Sequence, residues 1–201
     1  MKRLYTFIAA LFVSSCLCMN ASAATVTHIV VKGDSLWKIA VKYEIGLSEI
    51  IGANPQFLNP DLIYPGDEVY VPLLDTGVTS YEQQVIDLVN EQRAKNGLGK
   101  LTANWELSRV ARYKSQDMHD KKYFSHTSPT YGSPFDMMRN FGIAYRTAGE
   151  NIAQGYRTPA AVMQGWMNSS GHKANILNAS FTQIGVGYVS DGNYWTQMFI
   201  G

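Results

Sequence analysis

Thr182-Gln183-Ile184-Gly185-Val186-Gly187-Tyr188-Val189 and Tyr194-Trp195-Thr196-Gln197-Met198-Phe199-Ile200 are two β-prone runs joined by Ser190-Asp191-Gly192-Asn193. A polar, glycine-containing quartet between such runs is a strong hairpin signal. Ile184, Val186 and Tyr188 alternate with small or polar residues, as in a strand. Upstream the pattern turns helical. Ser80-Tyr81-Glu82-Gln83 reads as a capping box, with Val85, Leu88, Val89 and Gln92 on one face and Gly97 as the stop. Asn104 can cap a second helix, where Leu107, Val110, Ala111, Lys114 and Met118 share a face. Ser133-Pro134 opens a third, with Met137, Met138 and Phe141 inward. Thr158-Pro159 opens a fourth, with Val162 and Trp166 inward. Helices first and paired strands last predict α+β layers over residues 81–201.

Residues 27–73 form a smaller unit that reads strand, helix, helix, strand. His28 to Val31 is the first strand, and Gly33-Asp34-Ser35 breaks it. Asp34 or Ser35 caps a helix with Leu36, Ile39, Ala40 and Tyr43 at helical spacing. Leu47 to Ala53, with Ser48 as N-cap, is a second helix stopped by Asn54-Pro55. Asn59-Pro60-Asp61 and Tyr64-Pro65-Gly66-Asp67 are turns, and Glu68 to Val71 returns as a strand. Residues 74–80 are small, polar and turn-prone, and read as a linker.

The first residues read as an export leader. Lys2 and Arg3 precede an apolar run from Leu4 to Val13, too short to favour a membrane span, and Ala21-Ser22-Ala23 is a cleavage site of the A-x-A kind. Cleavage after Ala23 takes the 17 basic residues to 15, against 16 acidic. It also removes Cys16 and Cys18, the only cysteines, and with them any cysteine nucleophile or Cys-ligated zinc. The alternative is a lipidated Cys16, since Val13-Ser14-Ser15-Cys16 loosely resembles a lipobox. After cleavage no transmembrane helix is expected. The formal charge of +1 and the lack of a long basic run argue against nucleic acid.

Val30-Val31-Lys32-Gly33-Asp34-Ser35-Leu36-Trp37-Lys38-Ile39-Ala40 resembles the opening of a LysM module, and Asn54-Pro55 with Asn59-Pro60-Asp61-Leu62-Ile63-Tyr64-Pro65-Gly66 resembles its second half. The resemblance implies a βααβ fold that binds peptidoglycan or a chitin-like glycan. Ligand would lie between the Gly33–Trp37 and Asn59–Pro65 loops, at Gly33, Asp34, Ser35, Leu36, Asn59, Leu62, Ile63 and Tyr64. Trp37 and Ile39 are also core candidates, and Asp34 also a helix cap.

In the larger unit, Val89-Asn90-Glu91-Gln92-Arg93, Phe124-Ser125-His126, Gly149-Glu150-Asn151-Ile152-Ala153, the run from Trp166 to Leu177, Ile184-Gly185-Val186-Gly187-Tyr188 and Tyr194-Trp195-Thr196-Gln197 resemble bacterial CAP-superfamily (SCP-like) proteins in their order. This implies an α–β–α sandwich with a central cleft lined by two histidines and two glutamates, sometimes holding a divalent metal. His126, Glu150 and His172 match three of those four, and the second glutamate would fall near Met167–Ser169, where there is none. The same three are the candidate catalytic residues, with His126 and His172 as candidate ligands for zinc or another divalent cation. Gaps of 24 and 22 residues between them are no local metal signature, so only a fold can bring them together. His28 and His119 read as structural.

These readings lead to a secreted protein associated with the cell wall or a spore surface. The LysM-like module would bind glycan, and the CAP-like domain would have a ligand-binding or assembly role with protein partners in the envelope or spore coat. The alternative is a metal- or serine-dependent wall hydrolase working in the cleft, with Ser125, Ser169 or Ser170 as nucleophile. Neither H-E-x-x-H nor G-x-S-x-G occurs, and a glycosidase would need two opposed carboxylates, of which Glu150 is one candidate while Glu91 and Glu106 sit in helical patterns and read as solvated or structural.

Overall fold

The computed structural model describes residues 24–201. The leader, its cleavage site and Cys16 lie outside the described residues.

The first unit runs β1 (Thr25–Ile29), α1 (Leu36–Lys42), α2 (Leu47–Gly52) and β2 (Glu68–Pro72), the βααβ order expected. Strands β1 and β2 pair antiparallel from Thr25 opposite Pro72 to Ile29 opposite Glu68. The first strand thus starts earlier than its hydrophobic run, because backbone pairing to Val71 and Pro72 extends it without burying Thr25, Val26 or Thr27. Ser35 caps α1 by accepting from the Lys38 amide. Ser48 does not cap α2. Gly46 holds that position, and Ser48 lies inside the helix with its hydroxyl on Glu49. Leu36, Ile39, Ala40, Ile45, Ile50, Val69 and Val71 form the core with Val30. Asn54 fastens α2 to β2: it donates to Ile50 O and Tyr70 O and accepts from Tyr70 N, each at 2.7 Å. Ile39 is core as read, whereas Trp37 is 60% exposed.

The second unit runs α3 (Thr76–Lys95), β3 (Thr102–Ala103), α4 (Trp105–Asp120), α5 (Pro134–Asn140), β4 (Ala148–Gln154), α6 (Pro159–Met167), α7 (Ser170–Ile176), β5 (Gln183–Val189) and β6 (Tyr194–Ile200). The residues read as a linker are mostly the first turn of α3. Asp75 caps it, accepting from Gly77 N and Val78 N, so Ser80 sits in the second turn and forms no capping box. Only residues 73–75 separate β2 from α3.

The sheet order is β3-β5-β6-β4, with β6 antiparallel to both neighbours and β3 parallel to β5. Side chains divide by parity. Ile184, Val186, Tyr188, Trp195 and Phe199 pack with Val85 and Val89 of α3 and Val162 and Trp166 of α6. Met198 and Ile200 pack on the other face with Leu107, Val110 and Ala111 of α4 and Met137 and Met138 of α5. This is the α–β–α sandwich. Opposite α4, strand β5 carries Gly185 and Gly187. A Cβ on Gly185 would stand 2.3 Å from the Leu107 carbonyl carbon, and one on Gly187 2.2 Å from that of Ala111. Only glycine admits the helix backbone this close.

The two units touch through charge. Arg109 of α4 makes a forked pair with Glu49 of α2, Nε to Oε1 at 2.7 Å and Nη2 to Oε2 at 2.8 Å. Tyr113 donates to the same carboxylate at 2.9 Å, and Nη2 also reaches Ser48. Gly46 makes room, since a Cβ there would lie 2.1 Å from Arg109 Nε. Burial alone would raise the Glu49 pKa, but the bonds from Arg109, Ser48 and Tyr113 overcome it and hold the carboxyl at about 2. A depressed pKa gives a contribution that is complete above the ordinary 4.5 and fades as pH falls toward 2. Backbone ¹⁵N relaxation should therefore show both units tumbling together at neutral pH and loosening only below about 4.5. Arg109→Ala should free residues 24–73 to reorient at any pH. Unchanged tumbling in that variant would refute the latch.

Candidate functional site

Two regions gather the residues singled out above. In the first, Val30 N donates to Asp67 O and Gly66 N to Val30 O, both at 2.9 Å, at the open end of the β1–β2 ladder. The loop after β1 and the loop before β2 therefore lie side by side. Gly33 and Gly66, at φ of 96° and 99°, make the turns that other residues resist. Asp34 does not cap the helix; its Oδ2 accepts from Val31 N at 3.0 Å and from His28 Nε2 at 2.9 Å, fixing the first loop. Asn59 accepts from Asp61 N within its own loop. Leu62 and Tyr64 stand out at 55% and 63% exposure, and Ile63 packs partly on the core. Leu36 is 3% exposed, so it offers a ligand only its backbone.

The second region lies along the outer edge of β4. Glu150 points to the α4 side, where its Oε1 meets His126 Nδ1 at 2.7 Å. His126 sits on the segment after α4, and that segment is held by two buried charges of the helix. Lys114, fully buried, donates to Ser125 O at 2.7 Å, His126 O at 2.8 Å and the Tyr123 hydroxyl at 3.2 Å. Asp117 accepts from Tyr123 and Ser128 hydroxyls, each at 2.6 Å, and from Thr130. His172 reaches the region from α7, which Asn151 and Asn175 fasten to β4: Asn151 donates to His172 O at 3.1 Å, and Asn175 to Glu150 O at 3.1 Å. His172, Ser169, Tyr156, Phe124, Gly165 and Ile152 line a cleft of about 460 Å³. Among the described residues two buried side-chain polar atoms have no hydrogen-bond partner, Glu150 Oε2 and Gln197 Nε2.

The LysM domain model matches residues 28–72, and the model of the CAP, or cysteine-rich secretory protein, family matches residues 86–199. The chain belongs to the CAP family. It is 60% identical over 126 residues to the uncharacterized protein YkwD of Bacillus subtilis, covering 63% of this chain and 49% of YkwD. Its LysM part is 53% identical over 45 residues to the spore coat assembly protein ExsA of Bacillus cereus, covering 22% of this chain and 7% of ExsA. An extracellular SCP-domain protein of Bacillus anthracis shares the fold at 38% identity and a TM-score of 0.60, covering 68% of this chain and 47% of that one. The chain spans less than half the length of these relatives.

His126 and Glu150 are brought together at the β4 edge, and His172 lines the cleft beside them. The residues do not fit the divalent metal the family suggests. His126 turns its Nδ1 to Glu150, Met167–Ser169 supply no second carboxylate, and among the described residues no three His, Cys, Asp or Glu side chains converge. Among the described residues no serine hydroxyl bonds a histidine either: Ser125 Oγ accepts from Thr127 N. Lys114, Asn151, Asn175, Tyr156 and Phe124 are site residues that sequence reading did not single out as such. Lys114 carried a signal, a lysine on the apolar face of α4, since a buried ammonium needs acceptors.

Burial pushes the Glu150 pKa up, against the pull of His126 and Lys114. The bond to Glu150 pushes His126 up, against burial and the Lys114 charge. Burial and the His126 charge push His172 down. The two imidazoles therefore titrate on opposite sides of the ordinary 6.5. For His126, a raised folded pKa means stabilisation that is complete below 6.5 and is lost as pH rises through the folded value. NMR titration of the ring protons should place His126 above 6.5 and His172 below it. Glu150→Leu should bring His126 down, and His126→Ala should raise His172. Coincident midpoints in the native chain would contradict this geometry.

Proposed function

We propose that this chain is a secreted envelope protein whose LysM domain holds it on peptidoglycan or a chitin-like glycan and whose CAP domain presents its cleft for binding or assembly. The observation that carries the reading is the pair of side-by-side loops of the LysM domain, with Leu62 and Tyr64 exposed beside the glycine turns at Gly33 and Gly66. Uncharged sugars are held by apolar faces and backbone groups rather than by ion pairs, and this surface offers both. Likeness of this part to a spore coat assembly protein supports a place on the cell wall or spore surface. Among the described residues no helix is long and apolar enough to cross a membrane.

The CAP cleft serves as a binding surface with envelope or coat proteins as partners. It is built to hold its shape: the segment bearing His126 is fastened from beneath, and Phe124 and Tyr156 stand half-exposed on its walls.

Sedimentation with purified peptidoglycan tests the proposal. Residues 24–201 should pellet with the polymer, and Leu62→Asp combined with Tyr64→Ala should weaken binding by roughly tenfold or more. Mass spectrometry of the supernatant should find no released fragments. Fragment release that is lost in His126→Ala would replace the binding role with a hydrolase, and unchanged pelleting of the loop variant would remove the glycan groove.

A further inference from the structure

The seam between the two domains encloses a pocket of about 160 Å³. Trp37, Val41 and Leu47 of the LysM domain line one side, and Trp105, Phe141 and Arg109 of the CAP domain the other. Trp37, Val41 and Leu47 are 60%, 38% and 40% exposed, so this face of α1 and α2 leaves unusual apolar area in water.

The four tryptophans of the chain divide into two kinds. Trp166 and Trp195 are buried, and their indole N–H groups donate to Ile152 O at 3.2 Å and Tyr156 O at 2.7 Å. Trp37 and Trp105 both line the seam, and among the described residues neither indole N–H is bonded to a protein acceptor. Two flat apolar faces with free donors, brought together from separate domains, suit a ligand with an apolar ring face and polar edges. Arg109 is already paired with Glu49, and the other charged lining residue, Glu106, is exposed at the rim, so the aromatic rings rather than an ion pair offer the contact surface. Ligand sites for drug-sized molecules run to about 300–1,000 Å³, so this one has room for about one ring. Trp37 directly follows the groove residues Asp34, Ser35 and Leu36.

We propose that the seam is a second glycan subsite, in which Trp37 and Trp105 hold one further N-acetylated sugar of the chain that occupies the LysM groove. This rests on the glycan-binding reading of the LysM domain. It makes the CAP domain part of the wall-binding surface rather than a passenger, and it lets the Glu49–Arg109 latch set the spacing of the subsite.

Calorimetry of residues 24–201 with chitin oligosaccharides of two to eight sugars tests it. Affinity should rise with chain length and step up once an oligomer is long enough to reach the seam. Trp105→Ala should remove that step, roughly five- to tenfold, while short oligomers bind as before. Trp105→Tyr, which keeps a ring and a donor, should restore most of it. Trp105 lies in the CAP domain, so damage to the LysM groove cannot mimic the result. If Trp105→Ala and Trp37→Ala bind every length as the native chain does, while the Leu62 and Tyr64 variant loses binding, the groove stands and the seam subsite is wrong. If no oligomer binds the native chain at any length, the glycan reading and the seam subsite fall together.

Discussion

Helix α4 lies backbone to backbone on β5, and the other working parts are set by that contact. Gly185 and Gly187 permit it, and two serines of the helix lock it: Ser108 accepts from Val186 N at 3.1 Å, and Ser115 donates to Gly187 O at 3.0 Å. With the helix fixed in height and rotation, its charged residues point in set directions. Arg109 reaches the LysM domain, Arg112 reaches Glu82 of α3, and Lys114 and Asp117 reach the segment that carries His126. A Cβ at either glycine would push the helix off the sheet, and all four connections would move with it.

Buried charge does much of the positioning here, because an ion out of water must keep its partners. Glu82 sits between Arg112 and the Tyr188 amide and so joins α3, α4 and β5. Arg93 donates to the carbonyls of Gly99, Ile176 and Asn178, tying the end of α3 to the loop before β3 and to the end of α7 and the turn after it. Lys114 does the same for residues 125 and 126. The edge of β4 is handled by a related device: Trp166 and Asn175 bond the outward carbonyls of Ile152 and Glu150, so the strand offers few free acceptors for another chain to pair with.

The hairpin Gln183–Ile200, the caps at Asn104, Ser133 and Thr158, and the βααβ order were legible because each depends on local chemistry. Strand β4 was not legible as a strand. Ala148-Gly149-Glu150-Asn151-Ile152-Ala153-Gln154 lacks β-branched alternation, and it is extended because β6 pairs along its whole length. Helix α7 is seven residues long and contains Gly171, and its anchors come from Arg93 and Asn151, distant in sequence. The start of α3 was missed because Asp75 outcompetes Ser80 as a cap while Gly77 and Thr79 look turn-prone. In the cleft, the identities of His126, Glu150 and His172 came from resemblance, and their separation across the β4 edge is a property of the sheet that no spacing encodes.

The short connection between the domains gives this arrangement its consequence. With only residues 73–75 between β2 and α3, the LysM domain cannot wander far from the CAP domain, so the ordering entropy that docking must offset is already small. One forked ion pair with a tyrosine and a serine beside it is then enough to choose an orientation. A long flexible linker would need a large apolar interface for the same result. The interface instead leaves open pockets, two of which stretch along Leu73 and Leu74 between Glu44 of one domain and Arg112 of the other. An interface that is oriented but not filled is suited to taking up ligand, because a bound chain can add contacts on both sides without first displacing packed side chains.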